Sequence, residues 1–356
     1  MLYLAIDQHR KQLTVNLRDE NGEVVLRRQV STQPARVRAF VAEVAQRAAA
    51  HGGCVAVVEV CGFNDWLLEL LDEHGIRVLL VQPQRRNRHK TDRRDSNDLG
   101  ELLWVNRHRL LAGQKVHGVR VVQRPTRRDA EDRQLTALRQ RLGQLRTRTL
   151  NKIQRLLLKH NLHHHCPTKG LQTKAARKWL ETVALPEIDR LEMDLLLAQW
   201  NLWDAQLDRA EEQLTRRHAD SREAQIVATV PGAGIFGSLA LASRIGSIDR
   251  FARPGSLANY WGLVPGCRNS GEATQRLGSI TKEGSALARF VLGQMVLHVL
   301  RRDASMKAWY LRIKRRRGAK IARVAVMRRL ATAIWHMLKH REPYRYGGVR
   351  RAKLQS

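Results

Sequence analysis

Leu2-Tyr3-Leu4-Ala5-Ile6-Asp7 and, further on, Val55-Ala56-Val57-Val58-Glu59-Val60 share one design: a short apolar run that meets a carboxylate at or near its end. Runs of this length and composition read as buried strands. A lone charge set into a buried strand costs several kcal/mol unless a partner or a metal compensates it. Taken singly, Asp7 is explained by strand capping and Glu59 by pairing with one of many arginines.

Around these two strands a layout emerges. Leu13, Val15 and Leu17 alternate as a half-exposed strand, and Asn21-Gly22 reads as a two-residue hairpin turn into a third strand from Val24 to Val30. Ser31 and Thr32 precede Pro34 as helix-start signals, and Val37, Phe40, Val41, Val44 and Ala48 then recur at helical spacing as far as His51-Gly52-Gly53. Beyond the Val55–Val60 strand, Asn64-Asp65 opens a helix through Trp66, Leu67, Leu70 and Leu71 that stops at Gly75. A last apolar strand, Val78 to Val81, closes at Pro83. The order βββαβαβ is the ribonuclease-H-like layout, an α/β fold.

A second pair of acids follows in Arg88-His89-Lys90-Thr91-Asp92-Arg93-Arg94-Asp95, a segment otherwise cationic. Leu99, Leu102, Leu103 and Val105 predict a helix from Thr91 onward, which sets Asp92 and Asp95 on one face at i, i+3 spacing. Asp98 and Glu101 are further acids on that helix, and Asp98 competes with either member of the pair. Asp7, Glu59, Asp92 and Asp95 together make a set of hard oxygen donors that suits Mg2+ or Mn2+. Two such ions about 3.5 to 4 Å apart would stabilise the attacking and leaving oxygens of a phosphodiester displacement. The basic run Arg85, Arg86, Arg88, Lys90, Arg93 and Arg94 stands where it could hold a backbone against that site, although a charge run is most often a solvated face.

Composition selects the partner. With 64 Lys plus Arg against 33 Asp plus Glu, the 356-residue chain carries a formal charge of +31 and a pI near 11.3. Nucleic acid is the expected polyanion. Basic residues occur throughout rather than on one amphipathic helix, and no run approaches the roughly 18 to 20 apolar residues of a membrane helix. The opening residues enter a strand at once without a basic leader, so a cytoplasmic location is expected. Cys54, Cys61, Cys166 and Cys267 have neither paired zinc spacing nor the density of a disulfide framework.

The chain changes character after residue 125. Leu135, Leu138, Leu142 and Leu145 keep a 3-4 spacing that Ile153, Leu156 and Leu157 continue out of phase. Leu196, Trp200, Trp203, Leu207, Ala210 and Leu214 form a second seam from about Glu187, so residues 126–222 read as a helical hairpin or a dimerisation arm. His163-His164-His165-Cys166-Pro167 between them reads as a polar loop. In a mainly α-helical third part, Val230-Pro231-Gly232-Ala233-Gly234-Ile235 before the apolar Leu239–Ile245 resembles a helix-hairpin-helix turn, whose N–H groups at Gly232 and Gly234 could hold a phosphate. The expected division is 1–125, 126–222, 223–345 and a basic tail, 346–356.

Ala5-Ile6-Asp7, Val58-Glu59, Lys90-Thr91-Asp92-Arg93-Arg94-Asp95, Pro231-Gly232-Ala233-Gly234, Gly262-Leu263-Val264-Pro265, Ser270-Gly271 and Ile280-Thr281-Lys282-Glu283-Gly284 occur in this order. In these motifs the chain resembles the DEDD transposases of insertion sequences, relatives of the Piv and MooV DNA invertases that include bridge-RNA-guided recombinases. The resemblance implies a RuvC-like metal site at Asp7, Glu59, Asp92 and Asp95, with Ser270 attacking the phosphodiester to give a phosphoserine-DNA intermediate. It implies donor and target DNA, a structured guide RNA and a homo-oligomer, dimer or tetramer, as partners. Arg268, Arg276 and Lys282 flank the serine motif as expected nucleic-acid contacts. Tyr260, Ser279 and Ser285 are rival nucleophiles that the motif match disfavours.

Two other classes fit parts of the pattern. A RuvC-like junction resolvase needs the four acids and attacks with water, and a noncatalytic scaffold needs only the charge.

Overall fold

The computed structural model describes residues 1–83, 92–267 and 277–347. It divides after Arg124 into two compact units. The first is a mixed α/β domain built on one sheet, and the second is mostly helical.

In the first unit β1 (Leu2–Gln8), β2 (Gln12–Arg18) and β3 (Val24–Ser31) form an antiparallel meander. After α1 (Pro34–Ala50), β4 (Cys54–Glu59) pairs parallel with β1; after α2 (Asp65–Glu73), β5 (Arg77–Pro83) pairs parallel with β4. Then come α3 (Asp92–Val105), α4 (Arg107–Leu111) and a short antiparallel edge strand, β6 (Val119–Val121), which no sequence signal announced. The sheet order is β3-β2-β1-β4-β5-β6. Leu2, Leu4 and Ile6 face α1 and α2 with Val37, Phe40, Leu67 and Leu71. Tyr3, Ala5, Val55 and Val57 face Leu99 and Leu103 of α3.

Two local expectations change. β2 is buried on both faces, because α3 covers Thr14 and Asn16 on the side where solvent was expected. The hairpin is not a two-residue turn. Asp19 N–H donates to the Glu23 carbonyl, and the Asp19 carboxylate accepts from the N–H groups of Asn21 and Glu23, both at 2.9 Å. A register shift between Leu17 and Arg18 accompanies this loop.

In the second unit α5 (Arg127–Lys159) and α7 (Glu187–Ala219) form an antiparallel hairpin, joined through α6 (Lys174–Thr182). Ion pairs tie the hairpin along its length: Lys159 and His160 with Asp189 at one end, Arg139 with Glu211, and Arg217 with the buried Asp132 at the other. The seam of α5 differs from the leucine spacing. Leu138 is exposed, while Asp132, Thr136, Leu142, Thr149, Ile153, Leu156 and Leu157 are buried. Part of this inner face is polar because Arg217 of α7 satisfies Asp132 and Arg244 donates to Thr136 Oγ1 at 2.9 Å.

The rest of the unit comprises α8 (Arg222–Ala228), α9 (Gly234–Ile245), α10 (Pro254–Tyr260), a hairpin of β7 (Pro265–Cys267) and β8 (Leu277–Ile280), then α11 (Ala286–Arg302), α12 (Ala304–Arg317) and α13 (Ala319–His340). Their core gathers Trp261, Leu292, Met295, Val326, Leu330 and Ile334.

Candidate functional site

Asp7 and Glu59 are neighbours because β1 and β4 run parallel in register. Ile6 pairs with Val58, and the next residue on each strand is the carboxylate. Side chains alternate along a strand, so Asp7 continues the face of Tyr3 and Ala5, and Glu59 that of Val55 and Val57. This is the face that α3 covers.

α3 runs against β1. A β-carbon at Gly100 would lie 2.9 Å from Asn16 Oδ1 and 3.5 Å from Ala5 Cβ, and Asn16 pairs with Ala5; residue 100 is therefore level with Ala5. One turn later, Trp104 packs on Gly22, and its indole N–H donates to the Glu20 carbonyl at 3.2 Å, beyond the amino end of β1. Asp7 is two strand residues the other way, about 6.6 Å, or between four and five helical residues at about 1.5 Å each. The backbone of α3 near Asp95 and Ser96 thus stands level with Asp7. Asn97 fixes the helix there, its Oδ1 accepting from Asn16 Nδ2 at 3.3 Å, Arg18 at 3.2 Å and Arg27 at 3.0 Å.

Helical phase separates the acids. Ser96, Leu99, Gly100 and Leu103 are buried, and Asp98 is exposed. Position 92 falls one turn before Ser96 and position 95 one turn before Leu99, whereas position 98 falls on the opposite side of the helix. The side chains of Asp92 and Asp95, like those of Arg93 and Arg94 in the same first turn, lie outside the described residues, as do Arg85, Arg86, Arg88 and Lys90 altogether.

Two features here were missed in the sequence. His9 Nε2 lies 3.0 Å from Asp7 Oδ2. No motif contains His9; its only signal is its position two residues after a strand-end acid. Second, the loop after Glu59 is tied to β1: Asn64 Nδ2 donates to Gln8 Oε1 at 3.0 Å and to the Glu59 carbonyl at 3.1 Å, its Oδ1 accepts from Cys61 N–H at 2.6 Å, and Gln8 Nε2 donates to the Phe63 carbonyl at 3.0 Å. Burial pushes the Cys61 thiol up, and the nearby Glu59 and Asp7 carboxylates add to that push. Val60, Phe63 and Trp66 remain exposed on the rim.

Donor chemistry here suits a hard divalent cation: two carboxylates from adjacent strand ends, with the first turns of α3 at the same level. Thr14, which pairs with Asp7, has a buried Oγ1 with no hydrogen-bond partner among the described residues, so polar capacity remains beside the acids.

In the second unit, Ser270, Arg268 and Arg276 lie outside the described residues, between β7 and β8. The frame of that hairpin is described. Pro265 pairs with Ile280 and Cys267 with Leu277, while Thr281 N–H donates to the Val264 carbonyl at 3.0 Å and Lys282 N–H to the Gly262 carbonyl at 3.2 Å. Gly262 and Gly284 both have positive φ, and a β-carbon would stand 2.4 Å from Glu283 backbone atoms at the first and 2.1 Å from the Tyr260 carbonyl at the second. The motifs at 262–265 and 280–284 are therefore one packed structure, distant in sequence and joined in space. Lys282 itself is exposed and holds a positive φ. Of the rival nucleophiles, Ser285 is engaged as the cap of α11, accepting from Ala288 N–H and from Arg244 Nε, both at 3.1 Å.

Gly232 and Gly234 lie in the turn from α8 to α9. Gly232 is pressed against His298 of α11, where a β-carbon would come within 2.7 Å, while Gly234 faces open space at the start of α9. His163–His165 form a short exposed 3-10 turn.

Residues 4–162 match the profile of the DEDD-type IS110 transposase domain, described as "Transposase", and residues 224–311 match that described as "Transposase IS116/IS110/IS902 family". The chain is 27% identical over 345 residues to the transposase for insertion sequence element IS1111A of Coxiella burnetii, covering 92% of this chain and 87% of that protein. It is 25% identical over 355 residues to the "Probable family 20 transposase" of Pseudomonas aeruginosa, covering 97% and 98%. The class is that of DNA-cleaving and strand-transferring enzymes, the transposases. Within it, both matched segments are those of IS110-type insertion-sequence transposases.

Proposed function

We propose that this transposase cuts and rejoins DNA through a RuvC-like site of Asp7, Glu59, Asp92 and Asp95 and a nucleophilic serine, Ser270. The observation that carries the reading is the side-by-side placement of Asp7 and Glu59 on the face covered by α3, with the first turns of that helix level with them. Exposure of Asp98 on the far side of α3 favours Asp92 and Asp95 over it as the other two acids. The four carboxylates would hold Mg2+ or Mn2+, which when bound supplies charge stabilisation at the scissile phosphate.

Ser270 Oγ attacks phosphorus, the P–O bond to one sugar breaks, and the departing sugar oxygen takes up the proton. Attack by a sugar hydroxyl on the phosphoserine reverses these changes and joins the new strand. The glycine-locked hairpin frame supports a positioning role for the residues between β7 and β8. Arg85, Arg86, Arg88, Lys90, Arg93, Arg94, Arg268, Arg276 and Lys282, with the turn at Gly232 and Gly234, contact nucleic acid backbone. A charge of +31 without a single compact basic patch in sequence fits a chain that holds backbones while a structured RNA reads sequence by pairing. The enzyme acts as a homo-oligomer in the cytoplasm; no described helix is long and apolar enough to cross a membrane.

The test is a covalent trap. Purified protein with copurifying RNA, Mg2+ and DNA bearing the element's ends should give a protein-DNA adduct that is absent in Ser270→Ala and in Asp7→Ala. An adduct that persists in Ser270→Ala overturns the nucleophile; cleavage without any adduct is the outcome expected of a nuclease that uses water.

A further inference from the structure

Arg133 of α5 and Arg244 of α9 lie half-buried side by side, and carbonyls and hydroxyls hold their guanidinium groups where acids would be expected. Arg133 Nε donates to the Ser243 carbonyl at 2.8 Å and Nη2 to the Arg244 carbonyl at 3.4 Å, at the carboxyl end of α9. Arg244 Nε donates to Ser285 Oγ at 3.1 Å, and Nη1 to Thr136 Oγ1 at 2.9 Å and to the Ala240 carbonyl at 3.0 Å. A third cation stands nearby. Arg250, which ends the short turn Ile248–Arg250, places Cζ 4.6 Å from the ring centroids of both Phe251 and Tyr260.

Charge balance sets this cluster apart. Arg139, Arg190 and Arg217, half-buried in the same unit, meet Glu211, Asp194 and Asp132. Among the described residues Arg133, Arg244 and Arg250 have no such partner; Asp129, whose charge reaches Arg133, is bonded to Thr126 Oγ1 at 2.8 Å. Burial, and then the charge of Arg133, pushes the Arg244 guanidinium down to about 10, and burial pushes Arg133 down as well. The carboxyl end of α9 supplies about half a negative charge against three cations. Buried charges are normally paired, so the balance leaves a place for an anion. Donors remain to hold one: Arg133 Nη1, the Arg250 guanidinium and the Tyr260 hydroxyl have no acceptor among the described residues. Tyr260 is 37% exposed, so the cluster opens to solvent on that side.

We propose that Arg133, Arg244, Arg250 and Tyr260 form a binding site for one phosphodiester of a DNA strand. Guanidinium groups present forked donors that match phosphate oxygens and keep their charge when partly desolvated. The site is joined to the glycine-locked frame of β7 and β8. Ser285, which accepts from Arg244, follows Gly284, and Gly284 lies against the Tyr260 carbonyl. A strand held by the cluster is thereby held against that frame. Arg250 and Tyr260 meet the phosphate from the open side, while Arg133 and Arg244 supply charge from within and tie α5, α9 and α11 around it. The choice of DNA rests on the proposed role of the hairpin; the cluster's demand for an anion does not.

The test measures binding in the full chain carrying Ser270→Ala, so it does not depend on covalent chemistry. Arg250→Gln is the variant of choice, because Arg250 stacks on rings and its loss breaks no hydrogen bond among the described residues; helical circular dichroism should stay unchanged. Affinity for DNA bearing the element's ends should fall about tenfold, as expected for one charge-assisted contact. The slope of log affinity against log salt should shrink by about 0.9, the share of one phosphate. Arg209→Gln removes an equal charge from an exposed position on α7, and an equal fall there would reduce the effect to bulk charge and overturn the site. DNA carrying single neutral methylphosphonates along the strand then locates the contact. One position should weaken the parent about tenfold and Arg250→Gln less than about twofold, the non-additivity of a direct contact. The absence of any such position would overturn the proposal, and a loss confined to the copurifying RNA would overturn the assignment to DNA. No arm reads the protein-DNA adduct, so failure of the phosphate site and failure of the serine nucleophile are separate results.

Discussion

Gly100 of α3 rests on Asn16 of β2 so closely that a β-carbon at residue 100 would stand 2.9 Å from Asn16 Oδ1. Asn16 is buried and bonded to Asn97, so it has little room to yield. Gly100→Val should lift α3 from the sheet and move its first turn relative to Asp7 and Glu59. Overpacking of this kind costs about 1–3 kcal/mol, whereas misplacement of a reacting group by about 1 Å costs about 100-fold in rate. Strand cleavage should therefore fall far more than stability does. Gly143→Ala in α5, where the nearest atom to an added β-carbon is 3.9 Å away, is the control, expected neutral or stabilising by up to about 1 kcal/mol. Equal activity in Gly100→Val and the parent would remove α3 from the site.

Asp98 tests the helical phase. Asp98→Asn should retain strand cleavage within about threefold, since a solvated surface change usually alters stability by no more than about 0.5 kcal/mol. Asp92→Asn and Asp95→Asn should each abolish it, with unfolding midpoints unchanged. Divalent-cation titration followed by thermal shift gives a second readout: the cation's stabilisation should survive in Asp98→Asn and vanish in the other two. The reverse pattern would exchange the assignments.

What was legible in the sequence, and what was not, follows from the kind of signal each feature leaves. β1 and β4 announce themselves because Leu2–Ile6 and Val55–Val58 are apolar runs of strand length, and their terminal acids stand out against them. The exposed-looking side of β2 misled, since Thr14 and Asn16 alternate with Leu13, Val15 and Leu17 as solvent-facing residues do; only α3, arriving from eighty residues away, makes them interior. The Leu135–Leu145 spacing was right only in part, with Leu142 buried and Leu138 exposed, for a related reason. Asp132 reads as a surface acid until Arg217 is placed beside it at 2.6 Å. Polar groups buried by a distant partner leave no periodic trace. The Gln8–Asn64 tie is of the same kind.

Gly284 offers a test of the hairpin frame. With φ at +69° and the Tyr260 carbonyl 2.1 Å from an added β-carbon, Gly284→Ala cannot be accommodated without moving the backbone at Tyr260 or Glu283. The covalent adduct should be lost, while DNA binding, which draws on charge spread over the chain, should change less than about threefold. Gly255→Ala, with open space around it in α10, should leave both unchanged. Full adduct formation in Gly284→Ala would mean that the 280–284 motif serves something other than the segment between β7 and β8.

Asp303 ties the end of the chain to the helical unit and sets its pH limits. It is buried, caps α12 by accepting from Met306 N–H at 2.9 Å, and accepts from the Tyr344 hydroxyl at 2.8 Å and from Gly347 N–H at 3.2 Å. Burial pushes its carboxyl up, and these hydrogen bonds outweigh it, so the group sits below its ordinary value. A depressed carboxyl contributes stability that is fully present above the unfolded value, about 3.9, and is lost as pH falls through the folded one. Tyr344 is pushed up, by burial first and then by Asp303; its share is present below about pH 10 and lost as pH rises through the folded value. The clasp is therefore intact between these limits. Tyr344→Phe removes one donor from a buried carboxylate, a loss of about 1–3 kcal/mol. Amide exchange in α12 should quicken in Tyr344→Phe at neutral pH, and its acid-induced acceleration should begin at higher pH than in the parent. In Asp303→Asn that acid dependence should flatten, because no carboxyl remains to titrate. An unchanged acid dependence in Asp303→Asn would assign the pH response of α12 to another group.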